Sequence, residues 1–458
     1  MEDKRFFLIH PIDYRYGSYE MRKIFDRENW LQKMLEVEAA LAKAHAEVGN
    51  IPRKAAEHIS KMATIEHVKL ERVNEIEKEI KHETMAVIKA LTEVCGPYGK
   101  YIHLGATSSD ILDTVLALQI KEAINIIEKD LIEIAHLLID LAEKNKETIC
   151  VGRTHGQHAI PYILGHKFAI WANEIKLHIE RLRQCKERVC VGKMSGAVGT
   201  QAGFGPNALK VQELTMKYLG IKPAEISSQI VPRDRLAEFI CLLALISSSL
   251  DKFGREIRNL QRTEIHELEE PFKEEVQVGS STMPQKRNPI SSEKICGLAK
   301  ILRSLAVAAL ENVVIEHERD LTNSSCERTM VPEACILLDE QLKTMKKVLK
   351  GLRIYPENMK RNLNLTKGLV MAEAVMLTLV KKGIGRQEAH EIIRRCAMKA
   401  YKNNIDFFDA LKTDKTVQNY LTEEEIKQAL NPYNYTGTAK TQIENIIKQV
   451  KNYLQTAK

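Results

Sequence analysis

The residues with the clearest chemical potential lie between positions 279 and 289, in the segment GSSTMPQKRNP. Three hydroxyl side chains, two amides and two cations stand within eleven residues. Pro284 and Pro289 exclude a helix interior, because each removes a backbone donor and clashes with the preceding turn. A buried strand is excluded too, since Lys286 and Arg287 would lack partners for their charges. The segment therefore predicts a polar loop that presents hydroxyls and cations to an anion.

A second segment with chemical potential is GRTHGQHA, at residues 152 to 159. Its two glycines predict a loop or the start of a helix. The spacing of His155 and His158 would allow zinc, but there is no HExxH pattern and no nearby cysteine pair. We therefore expect no metal and no organic cofactor. A lone histidine is usually structural, so a chemical role for His155 depends on the other motifs.

These segments resemble blocks of one enzyme superfamily. GSSTMPQKRNP resembles the signature loop GSxxMPxKxNP of the aspartase/fumarase superfamily, with every fixed position present. GRTHGQHA resembles the second block, whose histidine supplies an acid or base, and Thr107 and Ser108 with His103 resemble the first. The superfamily consists of homotetrameric helical lyases that eliminate fumarate or a related acid. The resemblance implies an all-α fold with three helical domains, a central long-helix bundle and active sites shared within a homotetramer.

The chemistry of such an elimination fits the residue types. One group must remove a carbon-bound proton while another protonates the departing nitrogen, and a histidine titrates in the right range for the second task. Ser280 can act as the base only as an alkoxide, stabilised by backbone amides and a cation such as Lys286 in a closed, dry loop. Lys286 and Asn288 suit stabilisation of the carbanion.

Details of the blocks favour one branch of the superfamily. HLGATSSD with GRTHGQHA resembles the adenylosuccinate lyase family, as do HERD at 317 to 320 and SSCER at 324 to 328. Pro232 departs from the QRDR that the family more often has. Argininosuccinate lyases and fumarases would show different first blocks, and muconate-cycloisomerase relatives generally lack the histidine at 155. The resemblance implies release of fumarate from adenylosuccinate, giving AMP, and from succinylaminoimidazole carboxamide ribotide, giving AICAR, in purine nucleotide biosynthesis.

The resemblance also assigns site residues. The expected general acid is His155 and the expected base Ser280, with Glu293 holding the tautomer of His155; as a simpler alternative, Glu293 interacts with its helix dipole. For Arg319 and Arg328 the alternative is an ordinary ion pair, and for Thr107 and Ser108 a helix cap. The catalytic set is His155, Ser280, Lys286, Glu293 and His82. The substrate-binding set is Arg15, Tyr16, Lys81, His82, Glu83, His103, Thr107, Ser108, Gln229, Ser281, Lys286, Arg287, Asn288, Arg319, Ser324, Ser325 and Arg328.

Long helices are the predicted scaffold for these residues. Residues 110 to 145 contain no Pro or Gly, and their apolar residues recur in three- and four-residue steps, as in a helix buried on several sides. Ser109 or Asp110 is its expected N-cap. Stripes this wide indicate a bundle completed by other copies of the chain. Further long helices are expected at 161 to 189, 233 to 264 and 291 to 319, amphipathic runs at 30 to 48 and 73 to 94, and strand pieces only around 191 to 204.

We predict three domains: an N-terminal helical domain (1 to 107), the central long-helix bundle domain (108 to 355) and a C-terminal helical domain (356 to 458). The 458 residues carry a net charge of +7, with 68 basic and 61 acidic residues well mixed, so a nucleic-acid tail is not indicated. The nine cysteines lack metal spacing, and the N-terminal MEDKRFF lacks an apolar signal region. We therefore expect a cytoplasmic protein with reduced thiols, small-molecule nucleotide substrates, no nucleic-acid partner and no membrane contact.

Two other functions stay open. One is another fumarate-releasing lyase of the superfamily, such as an argininosuccinate lyase. The other is a catalytically silent helical scaffold, although the joint presence of His155, Ser280 and Lys286 disfavours it. Nucleic-acid binding is the weakest reading, because the basic residues stand in separate motifs rather than in a stripe.

Overall fold

The computed structural model describes residues 10 to 456, so the N-terminal MEDKRFF lies outside the described residues. The described chain is predominantly helical, and its strands pair only two at a time, which confirms the predicted all-α class. No helix between residues 10 and 456 has the length and apolar character needed to cross a membrane. The α-helices are α1 (Pro11–Tyr14), α2 (Tyr19–Ile24), α3 (Arg27–Glu47), α4 (Arg53–Met62), α5 (Leu70–Ile80), α6 (Glu83–Cys95), α7 (Ser108–Lys144), α8 (Leu164–Val189), α9 (Ala208–Leu219), α10 (Asp234–Leu260), α11 (Ile290–Glu311), α12 (Thr322–Lys350), α13 (Pro356–Leu363), α14 (Ala372–Lys381), α15 (Arg386–Asn403), α16 (Phe407–Lys412), α17 (Lys415–Gln418), α18 (Glu423–Leu430) and α19 (Ala439–Thr456).

The remaining regular structure is short. Strands β1 and β2 pair antiparallel, β3 and β4 pair parallel, and β5 and β6 pair antiparallel. Their bounds are β1 (Ile149–Thr154), β2 (Gln157–Ile163), β3 (Val191–Gly192), β4 (Lys222–Pro223), β5 (Leu268–Glu269) and β6 (Arg353–Ile354). Turns of 3-10 helix cover Gly96–Tyr101, Ala202–Phe204, Leu369–Met371 and Pro432–Asn434.

The chain divides into two units. Unit 1 is the described part of Met1–Leu131 with His178–Asp251 and Ile295–Lys343. Unit 2 comprises Ile132–Leu177, Lys252–Lys294 and the described part of Thr344–Lys458. Each unit combines three separate segments of the chain, whereas the three domains expected from the sequence are consecutive. The boundaries of those three domains stay a prediction.

The five long helices form a closed ring of neighbours within unit 1. The ring is held by side-chain contacts between consecutive helices. These are Arg183 to Glu128 (α8 to α7, 2.6 Å), His178 to Ser249 (α8 to α10, 2.8 Å), Arg303 to Asp251 (α11 to α10, 3.1 Å), Gln341 to the Ile295 carbonyl (α12 to α11, 2.7 Å) and Lys343 to Asp130 (α12 to α7, 3.0 Å).

Each unit also has a core built from shorter helices. In unit 1, apolar residues of α3, α4, α6 and α9 pack with the first turns of α7, including Leu31, Leu91, Ile111 and Val211. In unit 2, Val375, Ile393, Phe407 and Ile426 are members of a core made by α14, α15, α16 and α18. Burial of these side chains supplies the main driving force for folding of each core.

The four predicted long helices correspond to α7, α8, α10 and α11, but several of their ends are wrong. Helix α7 begins at Ser108, so neither Ser109 nor Asp110 is its N-cap. The carboxylate of Asp110 instead accepts the backbone N–H of Thr107, at 2.8 Å. Helix α10 ends at Leu260 rather than 264, and α11 at Glu311 rather than 319. The sequence does not predict the 29-residue helix α12, because Pro332 lies inside it and proline usually breaks a helix.

Two other expectations are wrong. The run from 73 to 94 is two helices, α5 and α6, because Lys81 adopts a left-handed conformation with φ of 57° between them. The helix expected from 161 begins only at Leu164, since residues 157 to 163 form strand β2. The glycine of the turn is a weak local signal, and the proline and histidines of this segment obscure its strand character.

Candidate functional site

The signature loop, residues 279 to 289, lies between β5 and α11 in unit 2. The Oγ of Ser280 accepts hydrogen bonds from the backbone N–H groups of Thr282, at 3.2 Å, and Met283, at 3.0 Å. Two amides directed at one hydroxyl oxygen favour its anionic form, since they would stabilise negative charge there. Ser280 is half-buried, whereas Ser281 is exposed.

The two ends of the loop are held together. The side-chain amide of Asn288 donates to the carbonyl of Gly279 at 2.9 Å. A Cβ atom at Gly279 would lie only 1.8 Å from the carbonyl oxygen of Lys286. Residue 279 must therefore be glycine for the loop to close in this form, which gives a physical reason for the first position of the signature.

The cations of the loop face an open groove of unit 2 with a volume of about 1180 Å³. Arg287 reaches Glu269, at 3.3 Å, and its guanidinium lies over the ring of Phe272, 5.5 Å from the centroid. Other groove residues come from the end of α10 and the start of α11. Among the lining residues are Arg255, Arg258, Arg262, Lys286, Arg287, Asn288 and Glu293. The groove thus brings four predicted site residues together in a positively charged setting.

His155 occupies the tip of the β1–β2 hairpin, not a loop or helix start as expected. Thr154 pairs with Gln157, which leaves His155 and Gly156 as the two central residues of the turn. Their φ values of 53° and 75° are those of a type I′ turn, whose backbone twist suits a hairpin. The His155 side chain is exposed, and within residues 10 to 456 no hydrogen bond holds its ring.

The hairpin is anchored from below by an ion pair. The guanidinium of Arg153 makes two hydrogen bonds to the carboxylate of Glu267, at 2.6 and 3.0 Å. Opposite Arg153, His158 is half-buried; its burial, followed by the charge of Arg153, lowers its pKa. The two hydrogen bonds between Arg153 and Glu267 fix the orientation of the hairpin as well as its position.

Glu293 stands in the first turn of α11, and its exposed carboxylate lines the groove. In the described chain it makes no hydrogen bond to His155, so the predicted pair stays a prediction. The amides at the start of this helix are already bound. The N–H groups of Ser291 and Ser292 donate to the buried carboxylate of Glu270, each at 3.0 Å.

Unit 1 contains a cavity of about 330 Å³ lined by four arginines. It brings together the predicted residues Glu83, Arg319, Ser324 and Arg328. The buried Nε of Arg319 has no hydrogen-bond partner among the described residues. Burial and the nearby Arg233 lower the pKa of Arg319 below its usual range. An anion placed beside Arg319 would satisfy this donor and offset the repulsion.

A buried network positions Arg319. Arg233 is 8% exposed and bonds to both Asp113 and Glu327 through its guanidinium. Glu327 in turn accepts from Asn323, whose carbonyl oxygen receives Arg319 at 2.7 Å. Arg233 belongs to the PRDR stretch in the sequence, but its role as a buried support has no signal there, because it depends on Asp113 from a distant helix.

Other predicted residues of unit 1 have structural partners. His103 bonds to the buried Glu38 at 2.6 Å, and although burial lowers its pKa, Glu38 and Asp110 raise it overall. The ring of His82 caps α6 through the N–H of Met85. Gln229 donates to the carbonyl of Ala197 at 2.8 Å. Outside the cavity lining stand Arg15, Tyr16, Lys81, His82, His103, Thr107, Ser108, Gln229 and Ser325.

The part of the chain that the structure describes contains no candidate metal site, and its cysteines do not indicate a reactive thiol. No group of three or more His, Cys, Asp or Glu side chains there could hold a metal ion. Seven of the nine cysteines are buried, while Cys241 and Cys326 are half-buried. Burial raises the pKa of the Cys150 thiol to about 12, far from the range of a reactive thiolate.

Comparison with known proteins identifies the family. Residues 13 to 302 match the family model described as lyase, which is more than half of the chain. The chain therefore belongs to this lyase family. Residues 368 to 446 match a second model, described as adenylosuccinate lyase C-terminus.

Full-length relatives narrow the assignment. The chain is 59% identical to an adenylosuccinate lyase of Pyrococcus horikoshii, over 97% of this chain and 98% of the relative. It is 58% identical to the one of Pyrococcus abyssi, with the same coverage. Among solved structures, a 3-carboxy-cis,cis-muconate lactonizing enzyme from Pseudomonas putida superposes with a TM-score of 0.88 at 33% identity, covering 97% and 99% of the two chains. Within the lyase family, the chain groups with the adenylosuccinate lyases.

Proposed function

We propose that this chain eliminates fumarate from adenylosuccinate, giving AMP, and from succinylaminoimidazole carboxamide ribotide, giving AICAR. The observation that carries the proposal is the full-length similarity to adenylosuccinate lyases together with an intact signature loop whose serine oxygen accepts two amides. The second substrate follows from the same site, because both compounds present a succinyl group on a nitrogen. The enzyme works in purine nucleotide biosynthesis in the cytoplasm.

An ultraviolet assay with purified protein tests this function. Adenylosuccinate should be consumed with equal molar release of AMP and fumarate, measured by absorbance and confirmed by mass balance. Argininosuccinate and fumarate, offered in parallel, should remain unchanged. Turnover of argininosuccinate without turnover of adenylosuccinate would assign the chain to a different fumarate-releasing lyase.

The catalytic roles divide between two segments of unit 2. Ser280 removes the carbon-bound proton as an alkoxide, and the amides of Thr282 and Met283 support that charge. His155 protonates the departing nitrogen, and its exposed position at the turn leaves the ring free to meet a ligand. Lys286 stabilises the carbanion; Asn288 has a second amide hydrogen for the same purpose beside the one bound to Gly279.

The substrate phosphate and ribose bind to the arginines of unit 1. The cavity that holds Arg319, Ser324 and Arg328 supports this assignment, since the buried Nε of Arg319 lacks a partner among the described residues. The guanidinium of Arg328 contacts the carboxylate of Glu83. A phosphate oxygen would compete with that carboxylate for the guanidinium, because both offer paired oxygens.

We propose a homotetramer in which each active site combines residues from several copies. Support comes from helix α11 and the turn after it, which bear apolar side chains that are exposed in the single chain. These are Ile301 (40% exposed), Val307 (60%), Leu310 (56%) and Val314 (77%). An apolar face of this kind is typical of an interface with further copies. In such a tetramer, signature blocks from different copies of the chain come together and form each active site.

Subunit mixing tests the shared site. An inactive His155→Ala tetramer and an inactive Ser280→Ala tetramer are mixed and exchanged, and native mass spectrometry verifies the mixed tetramers. Partial activity should return, because some sites then receive both intact residues. Mixed tetramers that remain as inactive as their parents would mean that one chain supplies both groups to each site.

A further inference from the structure

Three glutamates lie side by side at and next to strand β5, and each is buried. Glu267, Glu269 and Glu270 are 1%, 2% and 3% exposed. A buried carboxylate is costly unless it is paired and hydrogen-bonded. All three are bonded, and each serves a different segment of unit 2. Glu270 caps α11, as described above, while the other two reach the segments that carry the proposed catalytic groups.

Glu267 supports the hairpin. Its carboxylate receives both terminal nitrogens of Arg153 and, at 2.8 Å, the side-chain amide of Asn362. Its backbone is fixed as well, since its N–H donates to the Leu260 carbonyl and its own carbonyl accepts the N–H of Tyr355. Arg153 precedes His155 by two residues on the same strand end. The orientation of the turn therefore depends on a carboxylate that is itself immobile.

Glu269 supports the signature loop. One oxygen of its carboxylate accepts from Arg287, at 3.3 Å, and the other from the Tyr355 hydroxyl, at 2.7 Å. Burial alone raises the pKa of Glu269, but hydrogen bonds from Tyr355, His266 and Arg287 lower it overall, so the carboxylate is charged. Arg287 stands between Lys286 and Asn288, and its anchoring limits the positions that both neighbours can take.

We propose that Glu267 and Glu269 are positioning residues for the reaction: Glu267 fixes the hairpin that presents His155, and Glu269 fixes the loop that presents Ser280 and Lys286. Both carboxylates are almost fully buried and act through the residues they bind. The proposal rests on the proposed function for the roles of His155 and Ser280. Catalytic groups must be held to within about half an ångström, and a displacement of about 1 Å can lower the rate about 100-fold.

Amide hydrogen exchange tests the positioning without using the reaction. Glu267→Gln should speed exchange in residues 151 to 160 and leave 279 to 289 unchanged, and Glu269→Gln should do the reverse. Glu264→Gln is the matched control, because Glu264 is exposed and makes no hydrogen bond within residues 10 to 456. Unchanged exchange, or equal acceleration in both segments, would overturn the proposal whatever reaction the enzyme catalyses.

Kinetics with adenylosuccinate provide the second readout. Each of the two variants should lose at least about tenfold in kcat while KM changes less than about threefold, because orientation is lost and binding is kept. Glu264→Gln should match the wild type in both. A kcat near the wild-type value would overturn the proposal, whereas failure of the wild-type protein itself on adenylosuccinate would overturn the proposed function alone.

If Glu267→Gln does not fold, a second variant replaces it in the test. Glu267→Gln leaves the half-buried Arg153 without a counter-charge, so the double variant Glu267→Gln/Arg153→Gln, which keeps a neutral pair, takes its place. Its loss in kcat should equal that of Arg153→Gln alone, because both act through one contact. A loss equal to the product of two independent effects would show that Glu267 does not act through Arg153.

Discussion

The hairpin of residues 149 to 163 and the signature loop of residues 279 to 289 present the two proposed catalytic groups by different means. Five register pairs and the Arg153–Glu267 contact hold the hairpin. Within residues 10 to 456 the loop pairs with no strand. Hydrogen bonds within its own backbone and contacts of Asn288 and Arg287 hold it. A leaving-group acid benefits from a fixed position, whereas a serine base needs a segment that can open for substrate and close to exclude water. The difference in construction matches the difference in task.

Removing either catalytic group gives the largest expected effect. His155→Ala and Ser280→Ala should each lower kcat by about 10²- to 10⁴-fold, the usual contribution of a general acid or base. Steady-state kinetics with adenylosuccinate measure both. Ser281→Ala is the comparison that decides between the two serines, because Ser281 is exposed and its oxygen receives no backbone amide among the described residues. Near-normal turnover of Ser280→Ala with loss in Ser281→Ala would exchange their roles.

Alanine at the glycine of each segment separates a steric requirement from a conformational one. Gly279→Ala should lower kcat by about 100-fold, because the new Cβ would meet the Lys286 carbonyl at 1.8 Å and displace the loop. Gly156→Ala has open space around it but φ of 75°, so it should cost about 1 kcal/mol of stability through strain. Thermal unfolding and kcat are measured for both. Equal losses of activity would contradict the distinction.

Ligand-dependent exchange should differ between the segments. In the free enzyme the loop amides should exchange faster than those of the hairpin, because only the hairpin has a ladder of backbone hydrogen bonds. Saturating AMP and fumarate should slow exchange at residues 277 to 290 and change little at 149 to 163. Hydrogen-exchange mass spectrometry resolves both peptides. A loop whose protection is the same with and without product would argue against closure.

The smallest expected effect is a pH dependence confined to the hairpin. The pKa of His158 lies below its ordinary value of 6.5, so the unfolded segment binds the proton more tightly than the folded one. Stability from neutral His158 is therefore present above pH 6.5 and is lost as pH falls through the lower folded pKa. As pH falls across that window, the protection of the hairpin amides, corrected for the intrinsic pH dependence of exchange, should decrease in the wild type and less so in His158→Gln. Identical pH profiles would remove His158 as the cause.

The sequence predicts the loop and four of the five long helices, because both signals are local, but it does not predict α12, where Pro332 indicates a break. Prolines, glycines and charges define residues 279 to 289, and apolar spacing defines α7. The hairpin was missed, since only its register shows that His155 and Gly156 form a two-residue turn. Glu267, Glu269 and Arg233 were missed for another reason. Their roles come from partners 114, 18 and 94 residues away, and a pairing over such separations leaves no mark in a single sequence.

The capped start of α11 has a consequence for how the substrate's negative charge is met. The first amides of a helix commonly serve as an anion site, yet here Ser291 and Ser292 are bound to Glu270, and the N–H of Glu293 to the Pro289 carbonyl. Among the described residues, Glu270 already occupies the amides with which the start of this helix could bind a carboxylate. In the proposed site, the succinyl carboxylates would instead meet charged side chains such as Lys286, whose attraction for an anion is screened by salt. Affinity for the succinyl end of the substrate should consequently weaken with added salt. An anion bound by the backbone amides of a helix start would show a smaller salt dependence.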